Sequence, residues 1–216
     1  MKRSLLSKPS FLLTRLLALT ALAFLSFSRA DAQIIVSVES VAANAGDTGG
    51  GLDVTLTNST AGAVQIGGFS FELATNSTDI TFTGVTTATT TAPYIFDGLG
   101  LFGPNIGTSS PGQTMDASDI FSIPSSGTTV GAGVTVGLGH VVFDVSGSAS
   151  GPYPVVLAGF PNTSLSDFDG NVVEIGSLRA GFIRVTGATT PEPGTLALLV
   201  GTAIPGAALF IRRRKA

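Results

Sequence analysis

Asp167, Asp169, Asn171 and Glu174 bring four hard oxygen donors into eight residues, the kind of set that wraps a calcium ion in a loop. The helix–loop–helix calcium pattern is not met, because Gly170 stands fourth rather than sixth and the Glu comes early. Asp169-Gly170-Asn171 is also a plain hairpin turn, made of residues that tolerate positive φ. Calcium is thus the one cofactor these residues suggest, beside a metal-free turn. His140 is the only His, which excludes a multi-histidine metal site. With no Cys in the chain, a thiol nucleophile and a disulfide scaffold are excluded as well. Serines and aspartates could complete a triad with His140, yet no Gly-x-Ser-x-Gly elbow accompanies it. His140 reads as a structural or surface residue on the face of Leu138 and Val142. Glycoside hydrolysis needs two carboxylates across a cleft, and Asp116 with Asp119 reads instead as a solvated loop. The expectation is a protein that is not an enzyme.

The elements around these residues are β-strands. Residues 33–187 show short β-rich runs broken by Gly, Pro, Asn, Asp and Ser, with no amphipathic helical stretch. Strands are expected at 34–41, 52–57, 66–73, 80–85, 134–145, 152–157, 172–175 and 182–185. Leu52, Val54 and Leu56 alternate with Asp53, Thr55 and Thr57, the period of a half-buried strand. Phe69, Phe71 and Leu73 point inward in the same way, with Ser70 and Glu72 outward. The pattern predicts an all-β, antiparallel, jelly-roll-like sandwich of about 8–9 strands. A segment of that size can bury a core without disulfides. Thr86 to Thr91, together with Thr108, Ser109 and Ser110, could carry O-linked glycans or form an ordinary loop. Asn58, Asn76 and Asn162 each begin an Asn-x-Ser/Thr sequon.

Both ends read as addresses. Lys2, Arg3, Lys8 and Arg15 precede an apolar run at 16–27 and the small-x-small site Ala30-Asp31-Ala32. Residues 1–32 are therefore expected to be a signal peptide, cut before Gln33 by signal peptidase. At the other end, 188–194 is a linker holding Pro191-Glu192-Pro193. An uncharged stretch at 195–211 follows, about 25 Å long as a helix and near the lower limit for spanning a bilayer. The tail 212–216 carries Arg212, Arg213, Arg214 and Lys215, which would hold it in the cytoplasm.

Pro-Glu-Pro, a short apolar helix and a terminal basic cluster, in that order, resemble the PEP-CTERM sorting signal of bacterial exported proteins. The resemblance covers about residues 190–216 and implies recognition by exosortase near Pro191, Glu192 and Pro193. It also implies association with exopolysaccharide or biofilm matrix. The sortase motif Leu-Pro-x-Thr-Gly is absent. A permanent membrane anchor is the other reading of the same segment.

The middle segment resembles cohesin-like domains, which share a jelly-roll sandwich with some carbohydrate-binding modules. The residues are Val36-Ser37-Val38, Ala45-Gly46-Asp47-Thr48, 52–56, 66–73, 139–145 and Asp169-Gly170-Asn171. The resemblance implies the fold and a binding or structural role, with no particular recognition residues. A carbohydrate-binding module is the alternative, and a glycoside hydrolase a more distant one. Sugar stacking has little to work with, since there is no Trp and only Tyr94 and Tyr153.

The formal charge of −3 averages unlike parts. Residues 33–190 hold twelve acids against Arg179 and Arg184, leaving −10 and no Lys. Nucleic acid is excluded as a partner on that balance. The expected protein passes through an inner-membrane intermediate to the envelope, cell surface or extracellular matrix. There it would meet extracellular polysaccharide or a surface protein.

Overall fold

The computed structural model describes residues 33–187, except 98, 102–104, 110–111 and 123–126. In chain order the strands are β1 (Ile34–Val38), β2 (Val41–Asn44), β3 (Gly50–Asn58), β4 (Val64–Ile66) and β5 (Gly68–Thr75). Next come β6 (Ile80–Thr86), β7 (Asn105–Ser109), β8 (Thr114–Ile120), β9 (Thr128–Val130) and β10 (Thr135–Val145). The last are β11 (Gly151–Leu157), β12 (Ser164–Ser166), β13 (Val172–Val173), β14 (Ile175–Arg179) and β15 (Gly181–Thr186).

One sheet has five strands in the order β14-β1-β3-β10-β6. The other runs β13-β12-β5-β11-β15-β2, with β8 on the opposite side of β5 and β7 beyond β8. A small ribbon, β4 with β9, stands apart. The inward residues of both sheets join one apolar cluster. Phe69, Phe71 and Leu73 of β5 meet Leu52, Val54 and Leu56 of β3 and Val141, Phe143 and Val145 of β10. This is the jelly-roll-like sandwich that the alternation predicts.

Among the described residues there are fifteen strands where eight or nine are expected, and two features account for part of the excess. First, the opening and closing strands each break and change sheets together. β1 pairs with β14 in parallel in one sheet, and β2 pairs with β15 in parallel in the other. The breaks lie at Glu39-Ser40 and at Ala180. A Cβ on Gly181 would overlap the Glu39 carbonyl oxygen, so only glycine lets the two backbones cross here. Gly181→Ala is expected to lose about 1–3 kcal/mol in urea unfolding, as a buried overpacking does; an unchanged midpoint would contradict this close crossing. Second, β7 and β8 hide in polar sequence between 105 and 120, where strand periodicity is faint.

Two bulges also displace expected faces. Leu138 is the extra residue where β10 shifts register against β3, so it is buried while His140 faces out. The expectation that Leu138 and His140 share a face is corrected accordingly. A second shift, between β6 and β10, explains the uneven spacing of buried Ile80, Phe82 and Val85.

Several expected features lie outside the described residues. These are the signal peptide with Ala30 and Ala32, the motif Pro191-Glu192-Pro193, the apolar stretch 195–211 and the basic tail Arg212 to Lys215. Among the described residues no helix is long and apolar enough to cross a membrane. Gln33, expected to be the first residue of the processed chain, accepts a hydrogen bond from the Ser59 amide at 3.0 Å.

Candidate functional site: a serine face and a strapped loop

The register of the larger sheet gathers distant polar residues on its outer face. Ser164 of β12, Ser70 of β5 and Ser118 of β8 are direct cross-strand partners, forming a row of hydroxyls across three strands. The Ser70 and Ser164 hydroxyls are 2.8 Å apart and hydrogen-bonded. One step along, Glu72 pairs with Asp116, and Glu72 Oε2 accepts from Asn162 Nδ2 at 2.6 Å. In the other direction Gly68 lies between Ser166 and Ile120. Its missing side chain leaves a shallow concavity of about 330 Å³, bordered by the four serines and by Ile120, which is 51% exposed. Hydroxyls, carboxylates and one exposed apolar side chain on a rigid sheet can recognise a partner by hydrogen bonds and a small apolar contact. Sequence reasoning missed this face. Ser70, Ser118 and Ser164 are far apart in the chain, and only the register aligns them.

Across the sandwich, Asp53 of β3 is fully buried, although its strand was expected to be half-exposed. A loop between β6 and β7 covers it. The Thr90 and Thr91 amides each donate to Asp53 Oδ2 at 2.6 Å, and the Thr90 hydroxyl donates at 3.0 Å. His140 Nδ1, on the neighbouring strand, lies 2.6 Å from Asp53 Oδ1. Burial pushes the Asp53 carboxyl up, but the Thr91 amide, the His140 ring and the Thr90 amide outweigh it and hold it below the ordinary carboxylate range. A methyl on Gly51 would overlap the His140 ring, so the glycine makes room for it.

The same loop then crosses toward the other sheet. The Gly137 amide donates to Pro93 O at 2.8 Å, and the Ile95 amide donates to Gly137 O at 2.9 Å. A Cβ on Gly137 would come within 2.6 Å of Thr89. Farther on, the Tyr94 hydroxyl donates to buried Asp119 Oδ2 at 2.7 Å. Burial, then that hydrogen bond, pushes the Tyr94 hydroxyl far above its usual range. Tyr94, Phe96, Phe69 and Phe121 pack as an aromatic group around it. Two buried carboxylates, one from each sheet, thus fasten one loop over the sandwich. Asp119 is not in a solvated loop as expected. It sits on β8 and is 2% exposed, while Asp116 on the same strand is exposed.

Among the described residues, the one hydrogen bond of the His140 ring goes to Asp53, and no serine or threonine hydroxyl meets it. The triad that composition allows does not form there. Asp167 accepts the Asn171 amide on Oδ1 at 2.8 Å and the Asn171 side chain on Oδ2 at 3.0 Å. The Asn171 side chain holds the Asp167 carboxyl below its ordinary range, against some desolvation. Gly170 takes φ +81 between them, closing the β12–β13 hairpin. Asp167 and Asn171 are therefore brought together by the turn, and Glu174 stands beyond β13. Among the described residues no cluster of three or more His, Cys, Asp or Glu is placed to hold a metal ion.

Of the sequons, Asn58 is fully buried, with its side-chain amide donating to Gly62 O and Val130 O, both at 2.9 Å. Its role is to close the loop after β3. Neither tyrosine offers a free platform for a sugar. Tyr94 is buried, and the Tyr153 hydroxyl donates to Asp79 at 2.8 Å.

The fold is that of cohesin modules. The seventh ScaB type I cohesin from Pseudobacteroides cellulosolvens matches with 18% identity and a TM-score of 0.55, covering 74% of this chain and 96% of its own. CaCohA2 from Clostridium acetobutylicum matches with 18% identity and a TM-score of 0.56, covering 73% of this chain and 93% of its own. The Coh-OlpA–Doc918 complex, a type I cohesin–dockerin complex from Clostridium thermocellum, matches with 14% identity and a TM-score of 0.55, covering 71% and 99%. At these identities the likeness is one of fold. No protein-family model and no curated protein matches the sequence.

Proposed function

We propose that this protein is an exported, non-catalytic binding module that meets a protein partner through the outer face of its larger sheet. The observation that carries this reading is the cohesin-like sandwich presenting an aligned, hydrogen-bonding row of Ser164, Ser70 and Ser118 beside Glu72 and Asp116. In the cohesin–dockerin complexes of similar fold, the module's business is holding another protein. In the proposed route, signal peptidase cuts before Gln33 and exosortase acts at Pro191-Glu192-Pro193. The sandwich then resides at the cell surface or in the extracellular matrix, where polysaccharide is the other partner to consider.

A photo-crosslinking residue tests the face directly in the producing cells. Placed at Asp116, exposed on β8, it is expected to give a discrete protein adduct. Placed at Thr83, also exposed but on the opposite sheet, it is expected to give none. Equal adducts from both positions, or none from Asp116, would contradict the proposed face.

A further inference from the structure

β13 and β14 are the last strands of their respective sheets. Among the described residues β13 pairs with β12 alone and β14 with β1 alone, and only Glu174 separates them in sequence. Between these two free edges lies a groove of about 350 Å³, lined by Phe160, Val172, Val173, Ile175, Leu178 and Glu174. Its apolar wall is open to solvent, with Phe160 73% and Val172 68% exposed. The groove adjoins the serine face at Ser164 but opens at the edge of the sandwich.

We propose that this groove takes an extended, apolar–basic peptide, which adds as a strand to the outer edge of β14. The edge dictates the backbone. A row of unpaired N–H and C=O groups is satisfied by an extended main chain and by little else. The groove dictates one face of that strand, since every second side chain would drop among Phe160, Val172, Ile175 and Leu178. Charge dictates the other. Glu174 is the ionisable group in the lining, Asp167 and Asp169 sit in the turn of the same hairpin, and Arg179 ends β14. Around them the domain carries twelve acids against two arginines. A second copy of so acidic a domain would be repelled, whereas a lysine-bearing strand is drawn in.

The test uses the full-length protein in zwitterionic nanodiscs and labelled ten-residue probes, read by fluorescence anisotropy. An alternating Val-Lys peptide is expected to bind, and an alternating Val-Glu peptide to bind at least about tenfold more weakly. Two Val-Lys peptides, N-methylated on either the valines or the lysines, separate strand pairing from stickiness. One edge is blocked in each, so one peptide is expected to lose binding and the other to keep it. Phe160→Ser with Val172→Ser is expected to weaken the Val-Lys peptide by about tenfold or more with the melting temperature unchanged, because both side chains are exposed. Equal binding of the Val-Glu peptide, of both methylated peptides, or by the double variant would overturn the proposal. None of those results bears on the Asp116 cross-link, so the groove and the serine face stand or fall separately.

Discussion

Asp53→Ala is expected to destabilise the sandwich by about 3–5 kcal/mol, the scale for breaking a buried, hydrogen-bonded charge. The change strands two backbone amides, the Thr90 hydroxyl and the His140 ring, all aimed at one carboxylate. Asp53→Asn keeps the shape but loses the charge that these donors select, so an intermediate loss is expected. The pH dependence has a definite sign. The folded carboxyl lies below its ordinary value of 3.8, so its stabilisation is fully present above that pH and is lost as pH falls through the lower folded value. Urea unfolding at pH 7 should therefore separate wild type from Asp53→Ala widely, and the gap should shrink in strong acid. A gap independent of pH would show that packing of the loop, and not its carboxylate, holds it in place.

Phe71→Ala is expected to cost a further 3–5 kcal/mol or so on the same scale, as deletion of a buried aromatic does. Phe71 is 1% exposed, stacks against Phe69 with ring centres 6.1 Å apart, and lies 3.2 Å from where a Cβ on Gly139 of the opposite sheet would stand, second only to Val85 at 2.8 Å. It therefore bridges the two layers at a point where the facing strand carries no side chain. Calorimetry should show a fall in melting temperature, and Phe71→Leu should recover most of it. A fall of under about 1 kcal/mol would mean that the layers close over the gap, against the packing described.

The inward faces of this sandwich are legible in the sequence, because alternation at 52–57 and 66–73 marks them directly. The Asp169-Gly170-Asn171 turn is legible too, since few residues accept the φ it needs. Partnership is not legible. Asp53 stands out as an acid in the middle of an apolar strand, but its burial depends on a loop some forty residues away. The pairing of Asp53 with His140 requires the register of β3 against β10, which a bulge at Leu138 shifts. The serine row likewise exists only after β12, β5 and β8 are aligned. Pro191-Glu192-Pro193 and the basic tail are the reverse case: they are conspicuous in sequence, and their proposed role as addresses depends on other proteins that would read them.

Mass spectrometry of the intact protein recovered separately from the cytoplasm, the envelope and the medium of its own cells is the most direct test of export and processing. The expected result is a chain, outside the cytoplasm, that begins at Gln33 and ends near Pro191-Glu192-Pro193, without the apolar segment 195–211. A chain that keeps residues 1–32 and 195–216 and stays in the cytoplasm would contradict it.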